Sequence, residues 1–201
     1  VILNQYTGFM QLYDSHSHVQ FPAYDTDREA VLARSRGAGV KMLAVGTHEE
    51  SSRAAIELAK KYPGEVWATV GFHPNHLASK EEWHHDRHEQ EKPERPTFNH
   101  AIFRELARAP EVVAIGECGL DYYRQQIANA VWHMVKEKQK AVFLEHVKIA
   151  EEVNKPLMIH ARPSKGTDDS YEDLLFLLSA ISYRPYAISS SSLPGLRRSS
   201  S

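Results

Sequence analysis

The chain has 201 residues, enough for one large domain with its own core. Hydrophobic residues make up 42% and charged residues 25% of it, and the formal net charge of −2 excludes a broad basic surface for nucleic acid. The single cysteine excludes an internal disulfide and indicates a reducing, cytoplasmic location. No run approaches the ~20 apolar residues of a membrane span, and the first residues lack a signal-peptide pattern.

Strands and helices are predicted to alternate along the chain, which is typical of a parallel α/β fold. No glycine fingerprint for a dinucleotide or a P-loop follows the first strand, so a barrel is favoured over a doubly wound sheet. Thr26 with Glu29, and Thr47 with Glu50, have the spacing of capping boxes. A polar insertion, 79–96, follows the third strand. The predicted strands are 11–16, 40–45, 66–72, 112–116 and 157–160, and the predicted helices are 27–37, 51–62, 98–109, 138–153 and 171–178.

Side chains that can bind a metal follow four of these strands. In a parallel barrel the carboxyl ends of the strands meet at one face, where active sites are found. His16 and His18 lie two residues apart, so both can face the interior and chelate one ion. A carboxylate such as Glu117 can bridge two ions ~3.5–4 Å apart, although a buried glutamate paired with a basic residue is the structural alternative. His160 closes its strand in the same way, with a satisfied core histidine as the alternative.

Several neighbouring residues are assigned other roles. Cys118 alternates with Glu117 and is expected to point into the helix layer as a small core residue. Asp14 either holds a ligand histidine or caps local backbone. His48 has no partner motif and is expected to be a surface or helix-start residue. The histidines of the insertion are expected to lie in a solvated loop; they are His84, His85 and His88.

Four segments carry a family resemblance. They are DSHSHVQF (14–21), VGFHPNH (70–76), AIGECGLDYYR (114–124) and PLMIHAR (156–162). In order and spacing they resemble the motifs of TatD-like metal-dependent deoxyribonucleases, over about residues 11–178. The resemblance implies a TIM-type (β/α)8 metallo-hydrolase barrel that cleaves phosphodiester bonds in DNA with two divalent metal ions, Mg, Mn or Zn.

The resemblance also implies roles for individual residues. One pair of histidines would bind the first metal, a glutamate would bridge both metals, and a later histidine would bind the second. The implied metal ligands are His16, His18, Glu117 and His160, of which Glu117 and His160 are also the implied catalytic residues. The implied contacts to a substrate phosphate are His73 and Arg162. For Asp121 and Tyr122 a structural role, support of a ligand and a substrate contact all stay open.

The last part of the sequence departs from the family pattern. The family has a later His and a later Asp ligand, but no His follows His160 and about five of eight strands are present. We therefore expect a partial barrel domain over 1–180, a low-complexity tail over 181–201, and an incomplete or frame-disrupted copy. Open sheet edges predict self-association, and the missing ligands predict weak or no DNA hydrolysis.

Two alternative functions stay open. An amidohydrolase acting on a small cyclic amide or ester would also use an HxH motif, but the segment GECGLDYY argues against it. A fragment that binds metal without catalysis would explain the missing ligands. DNA is the expected substrate under the leading hypothesis, and no membrane or protein partner is implied.

Overall fold

Strands and helices alternate through the computed structural model, which describes residues 11–79, 83, 85–91, 94–123 and 129–182. Short 3-10 turns, Pro22–Tyr24 and Pro74–Leu77, follow the first and third strands. The elements in chain order are β1 Leu12–Ser17, α1 Arg28–Gly37, β2 Val40–Val45, α2 Glu49–Lys61, β3 Val66–Val70, α3 His100–Leu106, β4 Val112–Asp121, α4 Asn129–Val153, β5 Leu157–Arg162 and α5 Asp169–Ser182.

The five strands form one sheet in chain order, and every neighbouring pair is parallel. A doubly wound sheet reverses its strand order at a switch point, whereas a barrel wall adds strands in one direction. The predicted fold class is therefore confirmed, as the first five βα units of a (β/α)8 barrel. All carboxyl ends of the strands lie at the same edge of this sheet.

Apolar side chains join the sheet to its helices in two clusters. The larger cluster lies under β2 and β3 and includes Phe72, Phe103 and Ile149, none of them more than 1% exposed. The smaller cluster lies under β4 and β5 and includes Cys118 and Phe143. Cys118 is fully buried there, so its predicted place in the helix layer is confirmed.

Strand β4 extends five residues beyond its predicted end at Gly116. The extension runs through Gly119, which pairs with His160 of β5 and has a φ of +142°. A Cβ at Gly119 would lie 2.1 Å from the carbonyl oxygen of His160. Only glycine, which has no Cβ, allows the two strands to approach this closely. In sequence analysis a glycine normally indicates the end of a strand, so the predicted strand was too short.

Helix α4 begins at Asn129, nine residues before its predicted start. Its first turns pack on the extended β4, where Trp132 meets Tyr122 edge to face with ring centroids 5.4 Å apart. The later turns, which the prediction did include, face both clusters: Ile149 and Ala150 belong to the larger, and Phe143 and Val147 belong to the smaller.

Both predicted capping boxes are wrong. The residue that caps α1 is Asp27, without a side-chain hydrogen bond, and the cap of α2 is His48. In α2 the Ser51 hydroxyl accepts the backbone N–H of His48 over 3.0 Å. The Thr47 hydroxyl is engaged elsewhere, since it donates to Glu89 of the insertion.

The two outer strands and the last helix leave apolar side chains uncovered. Tyr13 of β1 is 61% exposed and Ile159 of β5 is 38% exposed, and on α5 Leu175 and Phe176 are 68% and 72% exposed. A closed barrel would pair both strand edges. The predicted tail, 181–201, lies outside the described residues except for its first two, which end α5.

No helix among the described residues has the length and apolarity that crossing a membrane requires. The cytoplasmic location expected from the single cysteine stays a prediction.

Candidate metal centre

The carboxylate of Glu117 occupies the centre of a histidine cluster at the carboxyl edge of the sheet. Glu117 is 7% exposed, and its two oxygens face different strands. Oε2 lies 3.2 Å from Nε2 of His16 on β1, and Oε1 lies 3.0 Å from Nδ1 of His160 on β5. Nε2 of His73, which follows β3, lies 3.7 Å from Oε1. The fold thus brings together side chains that are up to 144 residues apart in the chain.

His16 and His18 form the β1 side of the cluster. Their ring centroids lie 5.1 Å apart, edge to face. The Nδ1 of His18 lies 3.0 Å from the carbonyl oxygen of Val45, which can only accept, so Nδ1 carries the proton and Nε2 keeps its lone pair. Asp14 accepts the backbone N–H of His16 over 3.1 Å, which is the backbone-capping alternative for this residue.

His160 forms the β5 side of the cluster and is hydrogen-bonded at both ring nitrogens. Nε2 lies 3.1 Å from Oδ2 of Asp121, and Nδ1 faces Glu117. Burial lowers the pKa of His160, but the hydrogen bonds to Asp121 and Glu117 outweigh it and raise the pKa to about 9. Asp121 therefore contacts a predicted ligand, in agreement with the supporting role left open for it.

The charge states of Glu117 and His73 suit metal binding. Burial raises the pKa of Glu117, but hydrogen bonds from His16 and His160 hold that pKa well below its usual range, so the carboxylate stays ionised. Burial lowers the pKa of His73 to about 4, so its ring is neutral near pH 7. Burial also lowers the pKa of His18. A neutral imidazole offers a lone pair to a metal; at His160, whose free ring is protonated, an ion would take the place of the proton that faces Glu117.

Arg162 lies at the mouth of the site, two residues after His160. Its guanidinium carbon lies 3.8 Å above the ring of Tyr123, and the side chain is exposed. Tyr122 points the other way, since its buried hydroxyl donates to Asp173 over 2.8 Å. Arg162 is thus free to meet an anion at this edge, while Tyr122 serves the packing between β4 and α5.

The donor atoms fit divalent ions. Two groups of three donors share Glu117, one with His16 and His18 and the other with His73 and His160, and within each group all donor atoms lie within 4.8 Å of one another. Ligands around a four-coordinate ion with bonds of 2.0–2.1 Å are about 3.3 Å apart, close to the 3.0 and 3.2 Å distances at Glu117. The ligand roles of these residues stay a prediction.

A second cluster was missed by the sequence analysis. His48 is 3% exposed, so its expected place at the surface is wrong, although it does start a helix. It meets His76 and Glu89 in a third group of three potential donors. His48 lies three residues after the end of β2, as His73 lies three residues after the end of β3, and this signal could have found it. Of the insertion histidines, His85 meets the carbonyl oxygen of Gln90, His88 is exposed, and His84 lies outside the described residues.

Comparisons with known proteins identify the family of this chain. The model of the TatD related DNase family matches residues 13–186. The chain belongs to this family. It is 36% identical over 152 residues to the 3'-5' ssDNA/RNA exonuclease TatD of Pantoea vagans strain C9-1, covering 75% of this chain and 50% of that protein. It is 34% identical over 168 residues to the exonuclease of the same name from Salmonella typhimurium strain LT2, covering 83% of this chain and 54% of that protein.

A solved TatD homologue shows the same fold. The crystal structure of YJJV from Escherichia coli K12 aligns with a TM-score of 0.58 and 26% identity, covering 83% of this chain and 56% of that chain. The chain therefore spans about half the length of the relatives that it matches. TatD membership and the partial barrel are thus both confirmed.

Proposed function

We propose that this chain is the metal-binding half of a TatD-type nuclease and hydrolyses phosphodiester bonds in single-stranded nucleic acid with two divalent ions. The position of Glu117 carries the proposal, because one oxygen of its carboxylate faces His16 and the other faces His160. A carboxylate placed this way can hold two ions side by side. The relatives named as ssDNA/RNA exonucleases supply the substrate class.

The two outer strands would each supply the ligands of one ion. His16 and His18 would hold one ion from β1, His160 would hold the other from β5, and Glu117 would bridge them. Bound divalent ions of this kind lower the pKa of a coordinated water and stabilise negative charge on a phosphate. Because the chain is acidic overall, the positive charge that attracts the phosphate must come from the ions and from local side chains.

Two residues would bind the substrate. The guanidinium of Arg162 is cationic and planar, so it can meet a phosphate in bidentate fashion from the mouth of the site. His73 is neutral near pH 7, so it can supply a hydrogen bond or a metal-ligating nitrogen but no charge. Arg162 would therefore contribute more to phosphate affinity than His73.

The proposal is tested by single-turnover cleavage with the protein in excess over 5'-labelled single-stranded DNA and RNA, with Mg²⁺, Mn²⁺ or Zn²⁺ added. We expect slow, metal-dependent cleavage by the 201-residue chain, and a loss of at least ~100-fold with reduced bound metal in Glu117→Gln. Glu105→Gln, an exposed glutamate on α3, is the matched control and should behave like the parent.

The two alternative functions, a metal-binding fragment and an amidohydrolase, predict different results. Bound metal without any cleavage would support the metal-binding fragment and overturn the nuclease. Unchanged cleavage in Glu117→Gln at saturating metal would overturn the bridging role. Hydrolysis of a cyclic amide in place of nucleic acid would favour the amidohydrolase alternative.

A further inference from the structure

Three further side chains that can ligate a metal meet in a group that does not include Glu117. His48 begins α2, His76 lies in the turn after β3, and Glu89 comes from the polar insertion. We call these three residues the His48–His76–Glu89 cluster. Oε1 of Glu89 lies 3.1 Å from Nε2 of His76 and 3.5 Å from Nδ1 of His48. The cluster shares no residue with the groups around Glu117.

These distances are those of ligands around one ion. Two ligands of a tetrahedral zinc ion with bonds of 2.0–2.1 Å are about 3.3 Å apart, midway between the two distances measured here. The rings of His48 and His76 lie edge to face with centroids 5.3 Å apart, so their nitrogens approach the carboxylate from different directions. The three donor atoms thus surround a point and do not lie in a row.

Among the residues that the structure describes, the carboxylate of Glu89 has no permanent cationic partner. Its side chain is 18% exposed, and within the described residues its ion pairs are with His48 and His76, not with a lysine or an arginine. Contacts with His48, His76 and Thr47 overcome the effect of burial and keep the pKa of Glu89 below its usual range, so the group is ionised at neutral pH. A largely buried anion without a fixed positive charge is costly, and a divalent cation would remove that cost.

One oxygen of Glu89 meets all of its polar neighbours. Oε1 lies near Nε2 of His76 and Nδ1 of His48, and it also accepts the hydroxyl hydrogen of Thr47. An ion between Oε1 and the two imidazoles would leave the Thr47 hydroxyl as the hydrogen bond that orients the ligating carboxylate.

We propose that His48 Nδ1, His76 Nε2 and Glu89 Oε1 form a separate zinc site that fastens the polar insertion to the sheet. Two imidazoles and one carboxylate are a donor set that Zn²⁺ accepts, with a fourth position open to water. No thiolate is present to select a softer ion. The proposal goes beyond the nuclease function and does not depend on it.

The site would stiffen the border of the Glu117 centre. His76 donates its backbone N–H to the carbonyl oxygen of His73 over 3.1 Å, so both histidines belong to one short turn. An ion at His76 would hold this turn against α2 and the insertion at the same time. Its role would be structural, because its three ligands are separate from the groups of donors that contain Glu117.

The test counts zinc in a chain whose main centre is disabled. The parent is the full 201-residue chain with His16→Gln and Glu117→Gln, stripped with chelator, equilibrated with Zn²⁺ and analysed by mass spectrometry of the metal. We expect about one zinc ion per chain, which falls to near zero when Glu89→Gln is added. Glu91→Gln, an exposed glutamate two residues away, is the matched control and should retain the ion.

A second variant separates metal binding from hydrogen bonding. His76→Gln keeps an N–H donor near Glu89 but removes the zinc ligand, so it should fold, lose the ion and lose the visible absorption of four-coordinate Co²⁺ in the same parent. The proposal is overturned if the parent binds no zinc, or if Glu89→Gln or His76→Gln retains as much zinc as Glu91→Gln. The parent lacks the residues needed for cleavage, so failure of the nuclease proposal does not affect this result.

Discussion

At the scale of single residues, the hydrogen bond between His160 and Asp121 orients the ring that we propose as a ligand of the second ion. Nε2 of His160 faces Oδ2 of Asp121 at 3.1 Å, which leaves Nδ1 directed at Glu117. Ligating histidines commonly donate their other N–H to a carboxylate, which fixes the ring and raises its basicity. Strand β4 supplies both carboxylates, four residues apart.

Removal of the charge on Asp121 should weaken metal binding at His160. We expect Asp121→Asn to raise the dissociation constant of the more weakly held divalent ion by about 10–100-fold, because the ring loses its charged acceptor. Isothermal titration with Mn²⁺ measures this change. Asp27→Asn is the control, since Asp27 is exposed and makes no side-chain cap hydrogen bond. Equal affinity in the two variants would show that Asp121 does not support the ligand.

At the scale of elements, the close pairing of β4 and β5 positions Glu117 and His160 next to each other. Gly119 pairs with His160, and its backbone has a conformation that side chains rarely adopt. The site is therefore built on strand pairing that only a glycine at this position permits.

A methyl group at Gly119 should separate the two strands. We expect Gly119→Ala to lower the free energy of unfolding by about 2 kcal/mol or more, because the added Cβ would meet backbone 2.1 Å away. Gly37→Ala on α1 is the matched control; nothing lies within 4 Å of its added Cβ, and it should be neutral or stabilise by up to ~1 kcal/mol. Urea denaturation compares the two, and similar stabilities would contradict the packing argument.

At the scale of the whole molecule, one buried histidine links the largest helix to the sheet. His146 of α4 is fully buried; its Nε2 accepts the backbone N–H of Phe72 over 3.0 Å, and its Nδ1 donates to Val142 over 2.8 Å. Because one ring nitrogen accepts a hydrogen bond and the other donates one, the imidazole of His146 must be neutral. Burial accordingly lowers the pKa of His146 to about 4.

Stability should therefore fall in mild acid. The unfolded chain takes up a proton at His146 near pH 6.5 and the folded chain only near pH 4, so the contribution present above pH 6.5 is lost as the pH drops toward 4. We expect His146 to account for about 2 kcal/mol of the decrease between pH 7 and pH 5. His146→Gln should show a correspondingly smaller decrease, whereas His133→Gln, an exposed histidine on the same helix, should match the parent.

The uncovered surface of α5 predicts association between copies. Leu175 and Phe176 are 68% and 72% exposed, beside the open edge of β5. We expect light scattering after size exclusion to give a molecular mass that grows with protein concentration. In the double variant Leu175→Lys with Phe176→Lys, the measured mass should shift toward the 22.8 kDa of a single chain. Glu172→Lys with Ser179→Lys adds the same side chains at exposed polar positions and should change little. A monomer at every concentration would refute this expectation.

The sequence alone determined the alternation of elements, the partial barrel and the family, because apolar periodicity and motif order are local properties of the chain. It also placed His16, His18, Glu117 and His160 at one edge of the sheet, since parallel strands bring their carboxyl ends together. Predictions from the local sequence failed where contacts with distant parts of the chain determine the structure. The predicted end of β4 at Gly116 is wrong because its pairing with β5 outweighs the glycine signal.

Only the tertiary structure decided which polar groups share an environment. The partner of Asp121 lies 39 residues away in the chain, and Glu89 meets His48 across 41 residues, separations that no spacing rule covers. The tertiary structure also decided which histidines are buried. The local sequence does not distinguish an exposed histidine such as His133 from a buried one such as His48 or His146. Desolvation and charge pairing depend on three-dimensional neighbours, and these shift the pKa values of Glu117, His73 and His160.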